Sequence, residues 1–106
     1  MPLSKSINQK LNEQIVHELA ASHTYLAMAC YLDELELLSL TKLFRAQAAE
    51  EHEHAMKILD YMLDAGGAVK IGAIEAPHGE YTSVLALAEA ALKHEEKVTA
   101  QIHEIV

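Results

Sequence analysis

An all-α fold, an antiparallel helical bundle with one long crossing connection, is predicted by three features of the sequence. Apolar residues recur at alternating steps of three and four, the spacing that lines side chains along one face of an α-helix. Helix breakers are scarce, with 2 Pro and 4 Gly among 106 residues, while Ala, Leu, Glu and Ile are plentiful, a composition suited to long helices. The stretch Gly66 to Thr82 carries Pro77 and no sustained period, so it reads as a connection of unusual length.

The first apolar row runs Leu11, Ile15, Glu18, Ser22, Tyr25, Ala29, Leu32, with Ser4 or Ser6 placed to cap the helix start. The acidic stretch from Asp33-Glu34 to Ser39 is the expected first turn. The second row runs Leu40, Phe44, Gln47, Glu51, His54, Ile58, Tyr61, Ala65, and Gly66-Gly67 ends it, because glycine tolerates the left-handed conformation that closes a helix. The third row is Val84, Ala88, Ala91, Glu95, Val98, Ile102, Ile105, with Thr82 or Ser83 as its cap. The second helix, about 28 residues, spans roughly 40 Å, whereas the connection, fully extended, reaches roughly 55 Å. It can therefore travel the whole bundle and start the third helix beside the start of the second, as bundle architectures allow.

The length fits one domain over residues 1–106, and 51% hydrophobic residues support a simple two-layer core. The net charge of −8 argues against nucleic acid as a partner and suits a protein that attracts cations, although a solvated acidic surface looks the same. Cys30 is the single cysteine, so no internal disulfide framework is expected. Met1 to Lys10 lacks a signal-peptide core, and no stretch approaches the roughly 20 apolar residues of a membrane span. The expectation is a cytoplasmic protein with no membrane partner.

Each apolar row holds one acid where a hydrophobe belongs: Glu18, Glu51 and Glu95. A buried glutamate is rare unless it is paired or bound to a metal, since an ionised carboxylate loses its hydration there. With the second and third helices starting at one end, Glu51 lies about 13 residues in and Glu95 about 12. Glu18 lies roughly 16 residues back from the first turn, so the three differ in depth by only ~5 Å. His54, one turn beyond Glu51, shares its face. Oxygen and imidazole ligands together suit iron, manganese or zinc better than calcium.

Plainer readings stand beside this one. A lone Glu in a helical row is usually a rim residue with its head in water, and E-x-x-H is common on solvated helices; the coincidence of depth favours a joint site. Tyr25 reads equally as a core tyrosine or as a hydrogen-bonding residue beside the metals, and Gln47 carries a weaker form of the same ambiguity. Glu50, Glu53 and His52 read as a solvated face. His17, His23, His78, His94 and His103 fall off the rows and read as surface residues, while Met28, Met56 and Met62 read as packing.

The chain resembles the non-haem bacterial ferritins from Leu11-Asn12-Glu13-Gln14 to Glu104. The features that carry the resemblance are Glu18 followed by Tyr25, the run Ala49-Glu50-Glu51-His52-Glu53-His54, Asp60-Tyr61, the crossover Ile74-Glu75-Ala76-Pro77 through Tyr81, and the lone acid Glu95. The resemblance implies a ferritin-like bundle, an iron-storage role and a ferroxidase that oxidises Fe(II) with dioxygen at a di-iron centre. It implies that Glu18 and His54 hold the two irons from opposite sides, that Glu51 bridges them, and that Glu95 completes the second site. Tyr25 matches the family's tyrosine beside the centre, and Glu50 matches a ligand of a third iron site. Bacterioferritins carry a haem-ligating methionine where this chain has His52, so no haem is expected. The family's fourth helix, with further ligands, is absent from this chain, which is expected to be a ferritin-like domain truncated before it.

Two other functions compete. A rubrerythrin-like di-iron peroxidase would want a second acid one turn from Glu95, where Val98 stands. A non-enzymatic acidic helical assembly protein would pair its buried acids with Lys or Arg, and the three rows contain neither. The groove left by three helices around a four-helix core predicts a homo-oligomer, a dimer or a cage, covering the Glu18–Glu95 side.

Overall fold

A computed structural model of the chain describes residues 3–105, apart from the side chains of residues 98 and 101–105. Three helices follow in order: α1, Lys5–Glu34; α2, Leu38–Asp64; α3, Val84–Ile105. Ser4 rather than Ser6 caps α1, its Oγ accepting from Ile7 N at 3.2 Å. At α3 the cap is Ser83, whose Oγ accepts from Ala86 N at 3.0 Å. The expectations for the side chains of Val98, Ile102, His103 and Ile105 fall outside what is described.

Helices α1 and α2 end in the same way. Leu37 N donates to Leu32 O while Glu36 N donates to Asp33 O, and Gly67 N donates to Met62 O while Gly66 N donates to Leu63 O. Each is a Schellman closure with one residue in the left-handed region: Glu36 at φ 58° and Gly66 at φ 75°. Glycine adopts that region freely, whereas a glutamate adopts it at a conformational cost. The α1–α2 turn is therefore specified without the residue that usually announces one. Gly67 also lies so close to the start of α1 that a Cβ would meet Asn8 Oδ1 at 3.0 Å.

The connection runs the length of α1. Ala68 is held at Asn8 and Asn12, Lys70 N donates to Asn12 Oδ1, a Cβ at Gly72 would stand 3.3 Å from Val16 Cγ2, and the Tyr81 ring meets Tyr31 edge-on. The connection thus climbs from position 8 to position 31 of α1. Consequently α3 begins beside the end of α1 and the start of α2, where Leu87 joins Leu32 and Ala48 in the core. This is the crossover that the length of the connection implies. The molecule is accordingly elongated, 51 × 21 × 20 Å.

Asn8 and Asn12 present amide groups that pair with an extended backbone having no strand beside it. Asn12 donates to Ala68 O at 2.9 Å and accepts from Lys70 N at 2.8 Å. Replacing Asn12 with Ala removes both, and a loss of about 1–2 kcal/mol is expected in a urea titration. A midpoint equal to wild type would mean that Asn8 and the packing of Val69 and Tyr81 hold the connection without Asn12.

Packing between α1 and α2 differs in phase from the second apolar row. The buried seam of α2 is Thr41, Ala48, Ala55 and Met62, one residue per heptad, with Glu51 between. Small Thr and Ala side chains let the antiparallel helices approach closely, so this flank wins the place against α1. Leu40 and Tyr61, expected inside, are 37% and 56% exposed. Along α1 the expected row is buried or half-buried throughout. Ile15, Met28, Leu32 and Met62 are the large side chains fully removed from water on these helices, each contributing about 1.5–3 kcal/mol.

Helix α3 is rotated in a similar way. Its backbone lies against that of α1 and, among the described residues, stands off from that of α2. Its inward flank is therefore Leu87, Ala90, Ala91 and His94, while Val84 and Ala88, expected in the core, are exposed. Between α2 and α3 an apolar groove remains, a cavity of about 260 Å³ lined by Tyr25, Leu43, Phe44, Gln47, Ala91, Leu92 and Glu95. Leu43 and Leu92 stand 60% and 63% exposed at its rim.

Candidate metal centre

Glu18 enters the interior because α1 buries every third or fourth residue against α2, and Glu51 does so from the facing seam. They are 3% and 5% exposed. His54, one turn after Glu51, brings Nδ1 to 3.5 Å from Glu51 Oε2 and 3.6 Å from Glu18 Oε2. One ligand atom from each of these three side chains lies within 4.8 Å of the others. The His54 side chain is 44% exposed, so the cluster has two dry acids and a wet imidazole at its mouth.

Each acid uses its two oxygens differently. Glu18 Oε1 accepts from Gln14 Nε2 at 3.0 Å, and Glu51 Oε1 accepts from Gln47 Nε2 at 2.8 Å. Glu18 Oε2 and Glu51 Oε2 are buried and have no hydrogen-bond partner. A buried carboxylate oxygen without a partner is costly, and such atoms gather where an ion belongs. Burial pushes the Glu51 carboxyl upward from its ordinary range and the adjacent Glu18 pushes it further, against the pull of Gln47 and His54.

Glu95 does not join the group of three. It is exposed on the groove side of α3, and its Oε1 accepts from the Tyr25 hydroxyl. The departure from the expected buried position follows from the rotation of α3: the flank facing α1 carries His94, which leaves Glu95 at the groove edge. Tyr25 itself is 3% exposed and sits edge-on to Phe44 and His94. Burial, then the Glu95 carboxylate, raises its phenol well above the ordinary range, so it stays a donor. Glu50 is exposed and lies outside the cluster.

Three residues carry more than their sequence positions suggest. Gln14 is 3% exposed and bonded to Glu18; its signal was available, since it stands four residues before Glu18 as Gln47 stands before Glu51. His94, expected on the surface, is half-buried against the Tyr25 ring with an unpartnered Nε2, and burial lowers its affinity for a proton. His17, also expected on the surface, is half-buried with an unpartnered Nδ1.

A long-helix bundle whose interior carries facing carboxylates and an imidazole defines a class, the helical metal-binding bundles. Within that class, residues 8–106 match the ferritin-like domain family, and the chain belongs to it. It is 35% identical over 103 residues to a bacterial non-heme ferritin of Staphylococcus aureus strain USA300. It superposes with a TM-score of 0.93 on an open pore ferritin of the archaeon Archaeoglobus fulgidus, at 40% identity, and equally on a Chlorobium tepidum ferritin, at 41%. In all three comparisons 97% of this chain is matched, but only 62% of the Staphylococcus protein and 63% of each solved structure. The chain thus spans about three fifths of the length of these relatives.

Proposed function

We propose that the chain serves iron storage and detoxification, with Fe(II) as the substrate oxidised at Glu18, Glu51 and His54. The observation that carries this reading is the pair of buried, unpartnered Oε2 atoms converging on His54 Nδ1. Two carboxylate oxygens and an imidazole nitrogen suit a borderline cation such as iron. Held side by side without a cation, the two acids repel each other in a site too dry to screen them.

In the di-iron form of this reading, Glu51 would be shared by two ions, Glu18 and His54 would hold one each, and Glu95 would serve the second site. Tyr25 keeps the Glu95 carboxylate aimed inward across the groove, and Glu50 belongs to a third, outer position. Two Fe(II) ions each lose one electron, and dioxygen accepts the pair with two protons from solvent. The half-exposed imidazole marks the side from which Fe(II) enters. The non-enzymatic alternative needed Lys or Arg beside the buried acids, whereas the described ion-pair neighbour of both is His54.

Residues 1–106 act in this reading as one domain equivalent to the first three helices of the relatives. Copies of the chain cover the exposed leucines of the groove, as a dimer or within a cage. No helix among the described residues is long and apolar enough to cross a membrane, and the proposed setting is the cytoplasm. Particle mass and iron content after aerobic Fe(II) loading test the proposal. A particle several times heavier than the 11.7 kDa chain, holding many ferric ions per chain, is expected. A monomer that leaves the iron as Fe(II) would refute it.

A further inference from the structure

The sequence Gln-x-x-x-Glu leads to the buried acid of each of the two facing helices, as Gln14 to Glu18 in α1 and as Gln47 to Glu51 in α2. Four residues is one helical turn, so each amide lies directly beside its acid. Both amides donate to Oε1, at 3.0 and 2.8 Å, and in both acids Oε2 is the atom left without a partner. We propose that Gln14 and Gln47 are positioning residues that hold one oxygen of each acid and thereby present the other, singly, to a cation at His54. The inference deepens the metal-site reading above and rests on it.

Three features support it. A buried amide such as Gln14 is retained where its hydrogen bonds are satisfied, and Glu18 supplies an acceptor. The donors are neutral, so they fix the carboxylates without cancelling the negative charge that a cation needs; a lysine or arginine here would cancel it. Presenting one oxygen from each acid also fits the compact mixed oxygen–nitrogen set of a transition metal. Calcium takes six to eight oxygens, often with a bidentate carboxylate.

The chain carries its own control. Gln9 donates to Glu13 at 3.2 Å with the same spacing in the same helix, but on the exposed face. If the spacing merely stabilises helices, all three glutamines should behave alike.

The test is anaerobic Co(II) titration of Gln14→Met, Gln47→Met and Gln9→Met, read by calorimetry and by the visible absorption of the bound ion. Methionine keeps length and bulk but cannot donate. Removing an outer partner of a ligand weakens metal binding by about 10–100-fold, and that range is expected for Gln14→Met and Gln47→Met, with a changed Co(II) spectrum. Gln9→Met should match wild type in affinity and spectrum, whereas cation-free Gln14→Met and Gln47→Met, each lacking the donor to a buried acid, should melt below wild type but still cooperatively. If Gln14→Met does not fold, Gln47→Met, at the less buried position, decides alone. Tight wild-type binding with unchanged affinity and spectrum in the Gln variants would overturn this inference and leave the metal site standing. Wild-type binding no stronger than that of Glu51→Ala would overturn both.

Discussion

Glu51→Ala is expected to slow aerobic Fe(II) oxidation by about 100-fold or more. Glu51 is tied to the rest of the cluster at both oxygens: Gln47 holds its Oε1, its Oε2 faces His54 at 3.5 Å, and Glu18 stands across from it. Truncation leaves Glu18 and His54 too few in number to hold two cations and removes the charge that offsets them. Stability should move the other way. Burial and Glu18 raise the folded-state carboxyl of Glu51 above its unfolded value, so its favourable contribution is present at low pH and is lost as pH rises through the raised value. In cation-free protein at neutral pH, Glu51→Gln should therefore melt at or above the wild-type temperature, with a flatter pH dependence between the ordinary carboxylate range and neutrality. Stopped-flow oxidation and pH-resolved melting measure the two effects. Unchanged oxidation would place the chemistry elsewhere, and a Glu51→Gln protein less stable than wild type at neutral pH would mean that the charge is already compensated.

The fold was legible because its signals are repetitive: three rows of helical period, a double glycine, and a connection long enough to cross the bundle. Which flank of each helix turns inward was less legible. A row read along one helix gives a stripe, but the partner decides which edge of the stripe is buried. On α2 the small residues Thr41, Ala48 and Ala55 took the seam and left Leu40 and Tyr61 outside. On α3 packing against α1 brought Leu87 and His94 inward and left Glu95 at the groove. The convergence of Glu18, Glu51 and His54 survived these rotations because all three lie on the α1–α2 pair, where the packing is most extensive. Gln14 was legible in principle, through the spacing it shares with Gln47, but polar residues beside a core row are ordinarily discounted as rim. The α1–α2 turn shows the reverse case, in which Glu36 adopts the left-handed conformation and no local residue preference points to it.

Leu87→Ala is expected to detach α3 while the α1–α2 pair stays folded. Leu87 is 2% exposed and is the one fully buried side chain that α3 contributes among the described residues. It fills the space between Tyr25, Met28, Leu32 and Ala48, where all three helices meet. Truncating a buried leucine to alanine costs about 2–5 kcal/mol. Helix α3 has little else to hold it, since Ala90, Ala91 and His94 bury only part of their surface and the α2 backbone stands off from it among the described residues. The loss should therefore appear as local opening rather than global unfolding. Amide exchange within residues 84–97 should accelerate by about 30-fold or more, the factor for roughly 2 kcal/mol, while the slowest amides of α1 and α2 change little. The site then separates into two parts. Glu18, Glu51 and His54 belong to α1 and α2 and should still bind one Co(II), but the Tyr25–Glu95 hydrogen bond that ties α3 to the site is lost. Fe(II) oxidation should accordingly fall as far as in Glu95→Ala, although Leu87 touches none of the proposed ligands. Exchange that accelerates equally in all three helices would show that α3 is not a separate unit. Retained oxidation with α3 open would show that Glu95 has no part in the chemistry.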